Sequence, residues 1–242
     1  MALITGGAKR VGKAIVEDLA AHGWAVGIHC NTSRDEGEML AETVRDAGGR
    51  AAVAVADLAH PEDAGRIVAE VADALGPVSV LVNNASIYEH DTATELDLDL
   101  WNRQMAVNVT TPVFLASAFA KALPADRDGL VVNLLDQRVL RPTPAHFSYQ
   151  LAKSALATAT LVLAQALAPR IRVNGIAPGP VLPHAAQTQA EFDAKVAGLP
   201  LRRAPELAEF GRTLRFLWET KSVTGQVIAL DGGQHLAVAD EP

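Results

Sequence analysis

Short apolar runs alternate along this chain with longer stretches of helical periodicity, and that alternation constrains the fold more than any other feature. The runs are ALIT, WAVGIH, AAVAV, VSVLVN, LVVNLL, IRVNGIA and QVIALDGG. Between them lie Arg10 to His22, Ser33 to Gly48, Pro61 to Leu75, Leu98 to Leu123, Ser148 to Ala168 and Pro205 to Thr220, each with apolar residues three to four apart. A strand followed by a helix, repeated six times, predicts an α/β fold: a doubly wound parallel sheet of about seven strands with helices on both faces. At 242 residues and 49% hydrophobic, with no linker-like segment, the chain is expected to be one domain over 1–242. The Pro-rich GIAPGPVLPHAA after the sixth run reads as a loop entering a short helix near Glu191 to Val196, a substrate loop near 181–200.

Composition narrows the partners. Net charge is -7 and the basic residues are scattered, which argues against nucleic acid or a membrane surface and for a small soluble ligand. Cys30 is the only cysteine and the seven histidines show no ligand spacing, so neither a disulfide nor a metal site is expected. Lys9 and Arg10 arrive before any apolar leader could form, and the longest apolar stretch, ALATATLVLAQALA, is 14 residues interrupted by three polar ones. A cytoplasmic location follows as an expectation.

The first apolar run ends in ITGGAKRVG. In a doubly wound sheet, ligands bind beyond the carboxyl ends of the strands, where strand order reverses. Gly6 and Gly7 permit conformations closed to other residues, Gly12 lets the helix press on the strand, and a helix N-terminus offers free N–H groups to a pyrophosphate. A plain tight turn would also use these glycines. Farther on come NNAS at 83–86, Asn108, Tyr149 with Lys153 in YQLAK, NGIAPG at 174–179 and VTGQVIALDGG at 223–233.

In the order and spacing of these motifs the chain resembles the short-chain dehydrogenase/reductase family over essentially its whole length, which implies a Rossmann-type fold, a nicotinamide cofactor and a homotetramer. The resemblance implies a proton-transfer set of Tyr149, Lys153 and Asn108, with Lys153 on the nicotinamide ribose and Asn108 holding a relay water. A lysine one turn from a tyrosine, helped by a positive nicotinamide ring, would favour the phenolate and lower its pKa. Asn108 could equally be a helix-kink residue serving a backbone carbonyl. The resemblance also implies a cofactor set of Gly6, Arg10, Val11, Gly12, Asn31, Thr32, Ser33, Asp57, Leu58, Asn84, Ala85, Ser86, Tyr149, Lys153, Pro178 and Gly179. Asn83 and Asn84 would brace the turn after strand four, and Asp57 could instead serve a turn. Strand two ends in HCNTSR with no acid to repel a 2′-phosphate, while Asp35 and Glu36 read as first-turn residues of the next helix. NADPH is the expected cofactor.

Two departures from the parent pattern and one further feature are similar to the pteridine reductases and their dihydromonapterin reductase relatives. Arg10 stands where most members have a third glycine, Asp136 lies thirteen residues before Tyr149 where most have serine, and Tyr88 follows NNAS by two residues. This implies a substrate set of Arg10, Tyr88, Asp136 and Tyr149, with Asp136 also in the catalytic group. Asp136 could merely order its loop, and Tyr88 could be a partly exposed loop residue. The implied reaction is NADPH-dependent reduction of a C=N bond in dihydromonapterin, dihydrobiopterin or dihydrofolate. A carbonyl reductase acting on a ketone such as a 3-oxoacyl thioester, and a non-catalytic NADP-binding regulatory protein, stay open.

Overall fold

The computed structural model describes residues 1–183 and 187–237; three positions of the anticipated substrate loop, 184–186, lie outside the described residues. Seven parallel strands, β1 Ala2–Ile4, β2 Val26–Cys30, β3 Ala51–Val55, β4 Val80–Asn83, β5 Gly129–Leu134, β6 Ile171–Pro178 and β7 Val227–Leu230, form one sheet in the order β3-β2-β1-β4-β5-β6-β7. Parallel neighbours need crossovers. These carry α1 Arg10–Ala21, α2 Arg34–Asp46, α3 Ala64–Leu75, α4 Leu98–Met105, α5 Thr111–Ala122, α6 Phe147–Leu167, α7 Gln189–Ala197 and α8 Leu207–Glu219. Every anticipated strand and helix is present.

Alternation along the strands divides the core into two layers. Val80, Val82, Leu130 and Val132 face α1, α2 and α8, where Ile15, Leu40 and Phe210 meet them. Leu81 and Val131 point the other way, onto Ile67 of α3 and Leu115 and Phe119 of α5. Each such side chain contributes roughly 1.5–3 kcal/mol by leaving water, which is why the strands read as unbroken apolar runs.

One anticipated helix differs. The span Leu98 to Leu123 is broken by a π-helical turn, Ala106–Thr110, between α4 and α5, and Pro61–Asp63 ahead of α3 is a 3-10 turn. The π turn adds a residue without ending the apolar stripe, so spacing alone does not show it. Leu98–Ala122 as a whole is long and apolar enough to cross a membrane, but α5 packs on α3, β4 and β5 as a layer of the fold. From β1 the sheet extends to β2 on one side and β4 on the other, which opens a crevice over their carboxyl ends.

Candidate active site

The crevice is a cleft of about 390 Å³. Of the anticipated cofactor residues it is lined by Gly6, Arg10, Val11, Gly12, Asn31, Asp57, Leu58, Asn84, Ala85 and Ser86. Thr32 and Ser33 continue beyond Asn31 without lining it, and Pro178 and Gly179 border the adjoining cleft instead. The glycines fit more than a plain turn: Gly6 has φ +59°, and a Cβ on Gly12 would lie 2.1 Å from the Gly6 carbonyl oxygen. The first turn of α1, which carries no acidic residue, therefore borders the cleft with its unpaired N–H groups, a setting suited to phosphate.

Asn84 braces this loop by donating from Nδ2 to the carbonyls of Thr5 (2.8 Å) and Gly6 (3.1 Å). Asn83 instead donates to Asn133 Oδ1 beneath the site. Asp57 accepts from the Ala59 N–H at 2.9 Å, so its turn role is real even though it lines the cleft. Asp35 and Glu36 do occupy the first turn of α2, and Glu36 pairs with Lys9 at 2.7 Å.

His29, in sequence only one part of a donor-rich strand end, fastens the loop. Its Nδ1 accepts from the Gly6 N–H at 3.3 Å and its Nε2 faces the Ala56 carbonyl at 3.1 Å, which selects the neutral, Nε2-protonated tautomer. Burial pushes its pKa down to about 4. A histidine closing a wholly buried strand beside a glycine loop was the available signal.

Arg10 has φ 51°, a left-handed conformation that suits glycine better than arginine. Its guanidinium donates to the carbonyls of Leu182 and Pro183 at 3.3 and 3.2 Å, and it lines both clefts. It thus reaches across to the loop after β6 rather than lying along the glycine loop.

The adjoining cleft, about 340 Å³, brings together all four anticipated substrate residues, Arg10, Tyr88, Asp136 and Tyr149. The Tyr149 hydroxyl donates to Asp136 Oδ2 at 2.9 Å, while Asp136 Oδ1 accepts from the Arg138 N–H at 2.9 Å. Asp136 therefore orders its loop and faces the phenol at once. The start of α6 is held by buried Asp91, whose carboxylate accepts from the Ser148 N–H, and this sets where Tyr149 stands.

The expected lowering of the Tyr149 pKa is corrected by the structure. Burial, followed by the charge and hydrogen bond of Asp136, holds it well above the usual phenol value. Lys153 lies 2% exposed, donates from Nζ to the Leu134 carbonyl at 2.8 Å and sits 5.8 Å from the Tyr149 ring centre. Desolvation pushes the Lys153 pKa down to about 8. The nearest charge to the phenol is thus an anion, and the phenol keeps its proton.

Asn108 occupies the π turn, fully buried. Its Nδ2 donates to Gln104 Oε1 (2.9 Å) and the Ile87 carbonyl (3.1 Å), and its Oδ1 accepts from Ser86 (2.7 Å). These are bonds of the helix-kink role, joined to the cleft through Ser86. Tyr88 stacks on His146 at 3.9 Å and stands edge-on to Tyr149 at 4.8 Å, so it is packed into the site rather than loose in its loop. Arg138, Phe192 and Lys195 also line this cleft and were not singled out from sequence.

The short chain dehydrogenase family model matches residues 1–194. A crystal structure of FolM alternative dihydrofolate reductase 1 from Brucella canis, complexed with NADP, superposes with a TM-score of 0.96 at 57% identity, covering 98% of this chain and 94% of that one. The corresponding Brucella suis protein in complex with NADP gives 0.93 at 58%, covering 98% and 95%. The 3-oxoacyl-[acyl-carrier-protein] reductase FabG of Staphylococcus epidermidis is 26% identical over 97% of this chain and 98% of its own length. The glycine loop, the strand order and the Tyr149 and Lys153 pair on α6 agree with these likenesses, and the chain belongs to the short-chain dehydrogenase/reductase family.

Proposed function

We propose that the protein is a cytoplasmic, NADPH-dependent reductase of a pterin C=N bond, acting on a dihydropterin such as dihydromonapterin, dihydrobiopterin or dihydrofolate. The observation that carries the reading is the Tyr149 hydroxyl held 2.9 Å from Asp136 Oδ2 in a cleft bordered by Arg10 and Tyr88. The likeness to NADP-bound proteins named as dihydrofolate reductases supports it.

The glycine loop, Arg10 and Val11 would hold the cofactor phosphates, Asn31, Thr32 and Ser33 its 2′-phosphate, and Asp57 and Leu58 its adenine, with Asn84 to Ser86, Pro178 and Gly179 along the rest. NADPH, when bound, supplies the hydride. Tyr149, or a water linked to it, gives the proton to the ring nitrogen, and its raised pKa keeps it protonated until then. Asp136 orients the phenol and favours a protonated imine. Lys153 would serve the ribose hydroxyls, and through water near Asn108 and Ser86 it would return a proton to the phenol. Tyr88 gives the flat substrate an aromatic neighbour.

A ketone makes the opposite demand, because negative charge develops on its oxygen and a carboxylate beside it repels that charge. Ketone reduction remains the second reading on the FabG likeness. A homotetramer is part of the proposal: Phe114 of α5 and Leu151, Leu161 and Val162 of α6 leave apolar surface for a subunit contact. NADPH oxidation across dihydropterins, dihydrofolate and a 3-oxoacyl thioester tests the reading: it expects the pterins to be turned over best, and preference for the thioester removes it.

A further inference from the structure

We propose that Arg138 and Lys195 form a subsite for a carboxylate on the substrate's side chain, so that the cleft favours pterins whose tail carries an acid through a flat aromatic linker. The inference rests on the pterin reading and concerns the part of the substrate beyond the reacting ring.

The chain as a whole carries -7, yet among the described residues this cleft is lined by three basic side chains, Arg10, Arg138 and Lys195, against one acid, Asp136. Asp136 is already engaged at both oxygens, by Tyr149 and by the Arg138 N–H. Arg10 is turned to the carbonyls of Leu182 and Pro183. That leaves Arg138 and Lys195, and among the described residues neither has a carboxylate partner. Arg138 Nη1 is buried with no acceptor. A buried donor left unpaired costs about 1–3 kcal/mol, and more when charged. Two cations share the same space, and Lys195 registers it: burial and the charge of Arg138 both depress its pKa. An anion between them would relieve both penalties at once.

Asp136 caps the 3-10 turn Gln137–Val139, so the acid that faces Tyr149 and the cation that would take the tail are fixed by one turn. The Arg138 carbonyl accepts from Gln150 Nε2, and its guanidinium carbon lies 5.3 Å from the Tyr88 ring centre. Lys195 stands in the last turn of α7, and Phe192, one turn earlier and 8% exposed, adds an apolar lining to the same cleft. An aromatic linker against Phe192 with a carboxylate on the Arg138 fork fits this order of groups. The cofactor phosphates do not account for these cations, since neither side chain lines the cleft over β1 and β4.

The test compares kcat/KM with NADPH for dihydrofolate, for dihydromonapterin, whose tail is uncharged, and for a dihydropterin phosphate ester, in the wild type, Lys195→Met and Arg138→Gln. The expected result is a dihydrofolate-to-dihydromonapterin ratio that falls at least tenfold in each variant, a ratio that general damage to the fold does not move. An unchanged ratio overturns the subsite, and a wild-type preference for the phosphate ester over dihydrofolate overturns its assignment to carboxylate. A wild type that reduces no dihydropterin removes the proposed function instead. The subsite is then decided by p-aminobenzoylglutamate binding to the NADP-saturated protein: affinity lowered at least fivefold by Lys195→Met supports it, and no binding to the wild type overturns it.

Discussion

Replacing Asp136 by serine separates the two things this residue does. Serine caps a helical turn about as well as aspartate, so the bond to the Arg138 N–H survives and the loop keeps its order. What is lost is the carboxylate oxygen 2.9 Å from the Tyr149 hydroxyl, because the shorter side chain does not reach it. A hydrogen bond to a charged partner is worth about 1.5–3 kcal/mol, or roughly 10- to 150-fold in rate. Asp136→Ser is therefore expected to lower kcat/KM for a dihydropterin by at least tenfold and leave NADPH affinity within about twofold. Ketone reduction should hold or improve, since the repelling charge is gone. Steady-state rates on both substrate classes, read beside a thermal melt, measure this. Equal loss on pterin and ketone with a lowered melting temperature would show that Asp136 only orders its loop, and the reasoning would fail.

Three further outcomes are expected. Tyr149→Phe should reduce turnover by about 10²–10⁴-fold while NADPH still binds, and a variant keeping more than about a tenth of the rate excludes Tyr149 as the proton donor. Arg10→Gly should weaken NADPH and NADH binding alike, by about 1.5–3 kcal/mol, because the pyrophosphate at the glycine loop is common to both. Its melting temperature should hold or rise, because glycine adopts the φ of 51° without strain; unaltered affinity for both cofactors counts against a phosphate role for Arg10. His29, with a folded pKa of about 4 against 6.5 for the free side chain, makes the unfolded chain the first to gain a proton on acidification. Its contribution is complete above pH 6.5 and is lost as pH falls towards 4, on the order of 3 kcal/mol. Urea unfolding at pH 7 and pH 4.5 should show His29→Gln losing less than wild type, and equal losses would rule the assignment out.

The central strands β1, β2, β4 and β5 were legible because they are buried throughout and so read as unbroken apolar runs, the half-buried edge strands β3 and β7 because they too are short apolar runs between turn residues, and the helix ends because polar and glycine residues follow the periodic stretches. The site was legible only in part. Tyr149 and Lys153 lie on one helix, so four-residue spacing places them together. Asp136 reaches Tyr149 by the fold of the β5 loop, and only the family resemblance pointed to it. The resemblance named Lys153 as the charge that governs Tyr149, but the fold turns Nζ to the Leu134 carbonyl and sets Asp136 against the phenol. Burial and partner geometry, not spacing, decide the direction of that pKa. Arg138, in the turn after β5, and Lys195, on α7, line one cleft, a juxtaposition that local pattern does not encode. The π turn holding Asn108 left the apolar stripe intact on both sides and so gave no sign in the sequence.

The central claim is hydride addition to a pterin ring carbon with Tyr149 serving the neighbouring nitrogen. The most direct measurement incubates the protein with dihydromonapterin and NADPH carrying deuterium at the transferable position of nicotinamide C4, then locates the label by mass spectrometry and NMR. The account predicts one deuterium on the ring carbon of the reduced C=N bond in the wild-type product, and labelled product lower by about 10²–10⁴-fold at equal time with Tyr149→Phe. Label found only in the alcohol formed from a competing ketone, with the pterin returned unlabelled, would contradict it.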